Sequence, residues 1–357
     1  METAVKQDIK SMTLNELCDA VVSLGEKAFR AKQIYRWLHV KLVTGFDEMT
    51  NLSSAFREKL AENFVLTALV PIEEHISKLD GTRKYLFDLG DGNLIESVWM
   101  EYQHGNSVCI STQVGCRMGC RFCASTIGGM VRNLTAAEML DQIYRMQVIT
   151  GKRVSNVVLM GSGEPLDNYD NVVRFLGLIT DENGLNISGR NITLSTCGLV
   201  DRMHDLAELK LPITLALSLH ASNQETRKKL MPVASRYSLD EVIRACDDYY
   251  AATGRRISYE FSLVAGINDS PETAKELGEL LQGRNCHVNL IPVNPVKERD
   301  FVGPNHTNAV SFQKKLEKYG INVTIRREMG RDINGACGQL RRSHLEKTQV
   351  PPRKGEE

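Results

Sequence analysis

No run of the sequence approaches the roughly 18 uninterrupted apolar residues that a membrane-spanning helix requires. The first dozen residues, Met1 to Met12, carry Glu2, Lys6, Asp8 and Lys10 and lack the apolar centre of a secretory signal. A cytoplasmic protein without a membrane role is therefore expected. Net charge is also missing, because 44 Lys and Arg balance 44 Asp and Glu, and a neutral chain does not bind polyanions indiscriminately. An even cysteine count is absent too. Nine cysteines with no export signal do not form a disulfide framework, so clustered ones point to metal binding or catalysis. The scattered Cys18, Cys197, Cys246 and Cys286 read as small buried hydrophobes.

With 357 residues, 42% of them hydrophobic, the chain can fill one large barrel-type domain plus an appendage, or two to three ordinary domains. Six β-branched, apolar runs of strand length begin near residue 108: Val108–Ser111, Val154–Met160, Asn191–Ser195, Ile213–Leu219, Ile257–Leu263 and Val288–Ile291. Helical patterns separate them at Ala136–Val148, Val172–Ile179, Leu199–Leu209, Leu239–Ala252 and Glu272–Leu281. Thr135 with Glu138 forms a capping-box pattern, and Gly151 and Gly254 close two helices. Such β/α repeats give parallel strands in an open doubly wound sheet or in a full or partial barrel.

The first hundred residues differ in kind. Leu14–Leu24, Arg30–Val40 and Ser53–Phe64 read as short helices, and residues 70–104 as antiparallel strands turning at Asp80–Gly81 and Asp91–Gly92. The expected divisions are a helical accessory domain at 1–65, a β-rich extension at 66–107, a β/α unit at 108–342 and a loose tail at 343–357. Charge is segregated at both ends. Lys27, Arg30, Lys32, Arg36 and Lys41 face only Glu26 between residues 20 and 45, and eight Lys or Arg face three acids between 320 and 354. Such ends suit a phosphate-rich ligand, although taken alone they suit ordinary solvated faces better.

The sharpest local signal is Cys116-Arg117-Met118-Gly119-Cys120-Arg121-Phe122-Cys123, in a loop after the first β/α strand. Structural zinc takes four protein ligands, and no second pair follows at finger-like spacing. Short cysteine loops hold iron–sulfur clusters, and three thiolates on a four-iron cluster leave one iron open to a ligand. The spacing, with an aromatic before the last cysteine, resembles the signature of radical S-adenosylmethionine (SAM) enzymes. Distinctive polar residues fall just past the ends of later strands, where parallel β/α architectures bind ligands. They are Gly161-Ser162-Gly163-Glu164-Pro165, Ser195-Thr196-Cys197-Gly198, Ser218-Leu219-His220 and Asn294. The two glycines would let backbone approach a ligand, Glu164 would accept from an ammonium, and Ser195, Ser218 and Asn294 would meet a ribose or carboxylate.

From Leu24-Gly25-Glu26-Lys27-Ala28-Phe29-Arg30-Ala31-Lys32-Gln33 to Ala336-Cys337-Gly338-Gln339-Leu340 the sequence resembles the RlmN/Cfr family of radical SAM RNA methyltransferases. The resemblance implies a partial (β/α)6 TIM-like radical SAM barrel with a small N-terminal helical accessory domain for RNA and a β-rich extension. It implies one [4Fe-4S] cluster on Cys116, Cys120 and Cys123, and two SAM molecules per turnover. It puts Gly163, Glu164, Ser195, Ser218, Leu219, His220 and Asn294 at SAM-contacting positions. Cys337 then carries the methyl group as S-methylcysteine, Glu96 is the proton acceptor, and Cys109 is the resolving cysteine that forms a transient disulfide with Cys337. The implied reaction is methylation of adenine carbon 2 in 23S rRNA and in tRNA next to the anticodon. It would proceed through a transient protein–RNA bond, with an external flavodoxin- or ferredoxin-like electron donor and a monomeric enzyme. The sister activity at carbon 8 is the alternative, and Pro165 favours carbon 2. An electron-transfer or cluster-sensing protein would need no Glu164, Cys109 or Cys337, and an inert RNA-binding module would need no cluster.

Overall fold

The computed structural model describes residues 6–103, 105–293, 300–333, 340–341 and 343–344. Its N-terminal module is held by a short parallel pair, β1 (Gln7–Asp8) with β2 (Phe64–Val65). Between them lie α1 (Leu14–Ser23), α2 (Phe29–His39) and α3 (Ser54–Asn63). The apolar positions recur at helical spacing: Leu17 and Val21 on α1, Ile34, Tyr35 and Leu38 on α2, and Phe56 and Leu60 on α3 are buried. Thr13 and Glu16 close a capping box on α1, and Ser53 caps α3.

Strands β3 (Val70–Ile76), β4 (Arg83–Asp88) and β5 (Leu94–Tyr102) follow as the expected antiparallel meander. The meander does not stand apart. β5 pairs antiparallel with β6 (Gly105–Cys109), with Val98 opposite Cys109, so extension and β/α unit share one sheet. A small hairpin, β7 (Gln113–Gly115) with β8 (Met130–Asn133), brackets the cysteine loop. Then come α4 (Ala136–Thr150), β9 (Asn156–Leu159), α5 (Tyr169–Thr180), β10 (Ile192–Thr196) and α6 (Val200–Glu208). The rest of the alternation is β11 (Thr214–Ser218), α7 (Gln224–Leu230), α8 (Leu239–Thr253), β12 (Ile257–Leu263), α9 (Pro271–Leu281) and β13 (Cys286–Pro292). It closes on α10 (His306–Glu317) and β14 (Asn322–Ile325).

The ten-stranded sheet runs β14-β13-β12-β11-β10-β9-β6-β5-β4-β3, parallel from β14 to β6 and antiparallel beyond. All six expected parallel strands are present, and β14 adds a seventh at the edge. The sheet curls into a partial barrel. Met100 and Tyr102 on β5 line the same cavity, of about 610 Å³, as His287 and Asn289 on β13 and Arg326 after β14. The capping box of Thr135 and Glu138 opens α4, and Gly151 and Gly254, both at φ +66°, end α4 and α8 in left-handed turns.

The N-terminal module shares the main apolar core with the barrel, and buried polar contacts lock it there. Lys10 Nζ lies 2.5 Å from Asp141 on α4, the His39 ring meets the Tyr144 hydroxyl at 2.7 Å, and the Tyr35 hydroxyl donates to Asp181 at 3.0 Å. Among the described residues no helix is long and apolar enough to cross a membrane.

Candidate active site

Gly115 ends β7 at φ +78° with its Cα turned against the Gly129 carbonyl, and the chain then enters the cysteine loop. Three contacts fix that loop. The Arg117 guanidinium grips Asp167 in a two-pronged ion pair, the Arg121 N–H donates to the Leu230 carbonyl at 2.9 Å, and the Thr126 hydroxyl bonds the Cys120 and Cys123 carbonyls at 3.1 and 2.9 Å. Cys116, Cys120 and Cys123 all line one cavity of about 220 Å³ at the C-terminal rim of the parallel strands. Burial pushes the Cys116 thiol up to about 12 and that of Cys120 upward as well; bound iron would reverse this by deprotonating the thiols outright. No group of three His, Cys, Asp or Glu among the described residues is arranged around a single metal ion. In a four-iron cluster each thiolate binds a different iron, and three cysteines on one cavity wall fit that donor set.

The opposite wall comes from the strand ends. Glu164 is buried, and its carboxylate accepts the N–H groups of Cys197 at 2.8 Å and Leu166 at 3.1 Å, while burial raises its pKa above the usual range. Ser195 and Ser218 place their hydroxyls 3.4 Å apart on adjacent strands. His220 takes a left-handed backbone at φ +57°, held by the Asn268 side chain, which donates to the His220 and Ser262 carbonyls. Its Nδ1 accepts the Ser262 N–H at 2.9 Å, so the ring is neutral with its proton on Nε2; burial lowers its pKa to about 3. Phe122 of the cysteine loop packs edge-on against this ring at 4.8 Å.

A Cβ on Gly161 would lie 2.6 Å from the Ile110 carbonyl, and one on Gly163 (φ +111°) would lie 2.7 Å from the Gln113 backbone. Close packing of the loop on the β6–β7 segment thus requires glycine at both positions, and both line the cavity. Leu219 is fully buried in the main core and does not line the cavity. Asn294 and Cys337 lie outside the described residues.

Alternation along β5 turns Glu96, Val98 and Met100 to the lumen, while Ser97 bonds Gln142 of α4 on the other face. Cys109 packs there with Val98, Met100, Val158 and Met160, and Met160 also lines the cysteine cavity. Glu96 is buried and pairs with the fully buried Lys84 ammonium at 2.9 Å. It also accepts the Arg341 N–H at 2.5 Å, and Leu340 packs on Leu86 and Leu94 beside it. Eight of the expected residues, Cys116, Cys120, Cys123, Gly163, Glu164, Ser195, Ser218 and His220, therefore share one cavity, and Cys109 adjoins it through Met160.

Sequence reasoning missed Lys84, Gln113, Asp167 and Arg227. Gln113 is fully buried, donates to Asp167 at 2.9 Å and accepts the Glu164 N–H at 2.9 Å, tying the cysteine loop to the glycine-rich loop. Preceded by Ser111 and Thr112, its position two residues before Gly115 offered no distinct signal.

Comparisons with known proteins bear on this geometry. Residues 7–66 match the model of the ribosomal RNA large subunit methyltransferase N-terminal domain, and residues 110–280 match the radical SAM superfamily. The chain is 62% identical over 339 residues to a probable dual-specificity RNA methyltransferase RlmN of Lachnospira eligens, covering 95% of this chain and 97% of the relative. It is also 62% identical over 345 residues to the protein so named in Lachnoclostridium phytofermentans, covering 97% of each. A crystal structure of a radical SAM methyltransferase from Sphaerobacter thermophilus superimposes with a TM-score of 0.90 at 41% identity, over 93% of this chain and 98% of that one.

Proposed function

The chain belongs to the RlmN family of radical SAM RNA methyltransferases, and from that premise we propose that it methylates carbon 2 of adenine in 23S rRNA and in tRNA. The observation that carries the reading is the convergence at one rim of the three cysteines of one loop, Glu164, the Ser195–Ser218 pair and His220, with Cys109 adjoining. The donor set suits a [4Fe-4S] cluster and SAM: soft thiolates on one wall, and a carboxylate with two hydroxyls facing them. When bound, these groups supply an organic radical that can activate a methyl group for attack on an electrophilic ring carbon.

The protein's own residues do the rest. Glu164 receives the SAM ammonium, and Ser195 and Ser218 orient its ribose or carboxylate. Cys337 carries the methyl group to the base. Glu96 takes the proton from carbon 2, with Lys84 and the Arg341 N–H holding its carboxylate toward the lumen. Cys109 then attacks the sulfur of Cys337. The sulfur–carbon bond breaks, its electron pair passes to the methylene carbon, which takes up a proton, and a Cys109–Cys337 disulfide remains for an external dithiol to reduce. The N-terminal module, residues 1–65, contacts RNA through its basic run. We read the enzyme as a cytoplasmic monomer that takes its electron from a flavodoxin- or ferredoxin-like donor.

The test is mass spectrometry of nucleosides from rRNA and tRNA after anaerobic reaction with SAM. 2-Methyladenosine in both RNAs is expected. 8-Methyladenosine would assign the sister reaction, which the RlmN names of the near full-length relatives disfavour. Cys109→Ala is expected to trap a protein–RNA adduct, visible as a slow band on a denaturing gel, and free turnover in that variant would sink its role.

A further inference from the structure

We propose that Arg227 is the buried counter-charge of the iron–sulfur cluster, a positioning residue that sets how readily the cluster accepts an electron. The proposal rests on the reading of Cys116, Cys120 and Cys123 as cluster ligands. Arg227 lies on α7 and is 0% exposed. Its Nη2 donates to the Cys197 carbonyl at 2.7 Å, but its Nε and Nη1 are buried with no hydrogen-bond partner, and it makes no ion pair, among the described residues. A buried guanidinium with idle donors is costly unless something else supplies the opposite charge.

Its surroundings indicate what that is. Three residues along α7, the Leu230 carbonyl accepts the Arg121 N–H of the cysteine loop, and Pro232 lies under Gly119. Leu230 and Met231 belong to a small apolar cluster with Cys197, Val264 and Val293, on which Met118, Cys120 and Phe122 pack. The segment bearing the guanidinium is thus the floor of the cysteine loop. Cys197, whose carbonyl holds the guanidinium, itself lines the cysteine cavity, and a Cβ on the next residue, Gly198, would lie 3.3 Å from Arg227 Nη2.

Three thiolates on a four-iron core leave a net negative charge that grows by one unit on reduction. In an apolar enclosure a fixed cation stabilises the more negative state most, so Arg227, held behind the cavity wall at Cys197, raises the reduction potential.

The full-length wild type, Arg227→Lys and Arg227→Met would be reconstituted anaerobically, their iron and sulfide counted, and the EPR signal of the reduced cluster titrated against potential without SAM. At equal iron content, Arg227→Met is expected to reduce only at more negative potential, with Arg227→Lys close to wild type. Should the Met variant fail to fold, Arg227→Gln carries the same comparison. Equal potentials in the wild type and the uncharged variant overturn the proposal, leaving Arg227 a staple for the Cys197 turn. A Lys variant displaced as far as the uncharged one also overturns it, because charge would not be the cause. A Cys120→Ala variant that keeps a full cluster overturns the ligand reading instead.

Discussion

Glu164 is asked to carry a negative charge where burial opposes it. Its two backbone donors offset part of that cost, yet its pKa stays raised above 4.5. A carboxyl with a raised pKa in the folded state binds its proton more tightly there than in the unfolded chain. Its contribution to stability is therefore complete at low pH and lost as pH rises through the folded value. Glu164→Gln removes the titration. Without SAM the variant is expected to melt at a higher temperature than wild type at pH 7 to 8, the gap narrowing toward pH 4.5, as followed by circular dichroism. The same change should weaken SAM binding by roughly tenfold or more, since hydrogen bonds to a charged group contribute about 1.5–3 kcal/mol; calorimetry measures it. Equal melting at pH 7 with intact affinity would mean that the carboxylate serves neither role. At this scale the sequence was partly legible. Glu164, Ser195 and Ser218 stood out because polar residues at strand ends mark a ligand rim. Arg227 did not, because nothing in Gln-Glu-Thr-Arg-Lys-Lys-Leu separates a buried arginine from its solvated neighbours.

Elements with strong local signals appeared where expected: the capping box on α4, the left-handed glycines after α4 and α8, and the β-branched runs of the inner strands. The missed ones lacked those signals. α7 has few apolar residues and owes its place to the loop it supports, and β14 is a four-residue edge strand with only one buried position. Strand pairing was equally hidden, and with it the Lys84–Glu96 pair. Leu86 stands opposite Glu96 and Lys84 opposite Val98, so Lys84 and Glu96 are diagonal neighbours on one face of β4 and β5. Both are buried, so breaking the pair from one side strands a charge. Lys84→Met is expected to destabilise the fold by about 3–5 kcal/mol, and Lys84→Met with Glu96→Leu to recover most of that loss. Urea unfolding of the two single variants and the double variant gives the coupling. A coupling near zero would show that Lys84 does not hold Glu96.

At the scale of the whole molecule, the β/α alternation was legible from periodicity alone, but the docking of the N-terminal module was not. Lys10, His39 and Tyr35 find Asp141, Tyr144 and Asp181 more than a hundred residues away, and no local pattern encodes such pairs. The docking fixes the module rigidly against α4 and α5, so its charges hold a set position relative to the cysteine cavity. Lys27, Lys32 and Arg36 are exposed and make no ion pairs among the described residues, and Phe29 beside them is 53% exposed with the Arg30 guanidinium over its ring. A solvated face and an RNA contact predict different salt behaviour. If the three cations neutralise phosphates, replacing all of them with Ala should weaken RNA binding and flatten the slope of log affinity against log salt by about 2–3. Replacing Lys314 and Lys318, exposed on and just after α10, should leave that slope unchanged. Filter binding of a tRNA substrate across a salt series reads both, and SAM cleavage without RNA should be equal in all variants. An unchanged slope in the triple variant would return the basic run to ordinary solvation and move the RNA contact elsewhere on the rim.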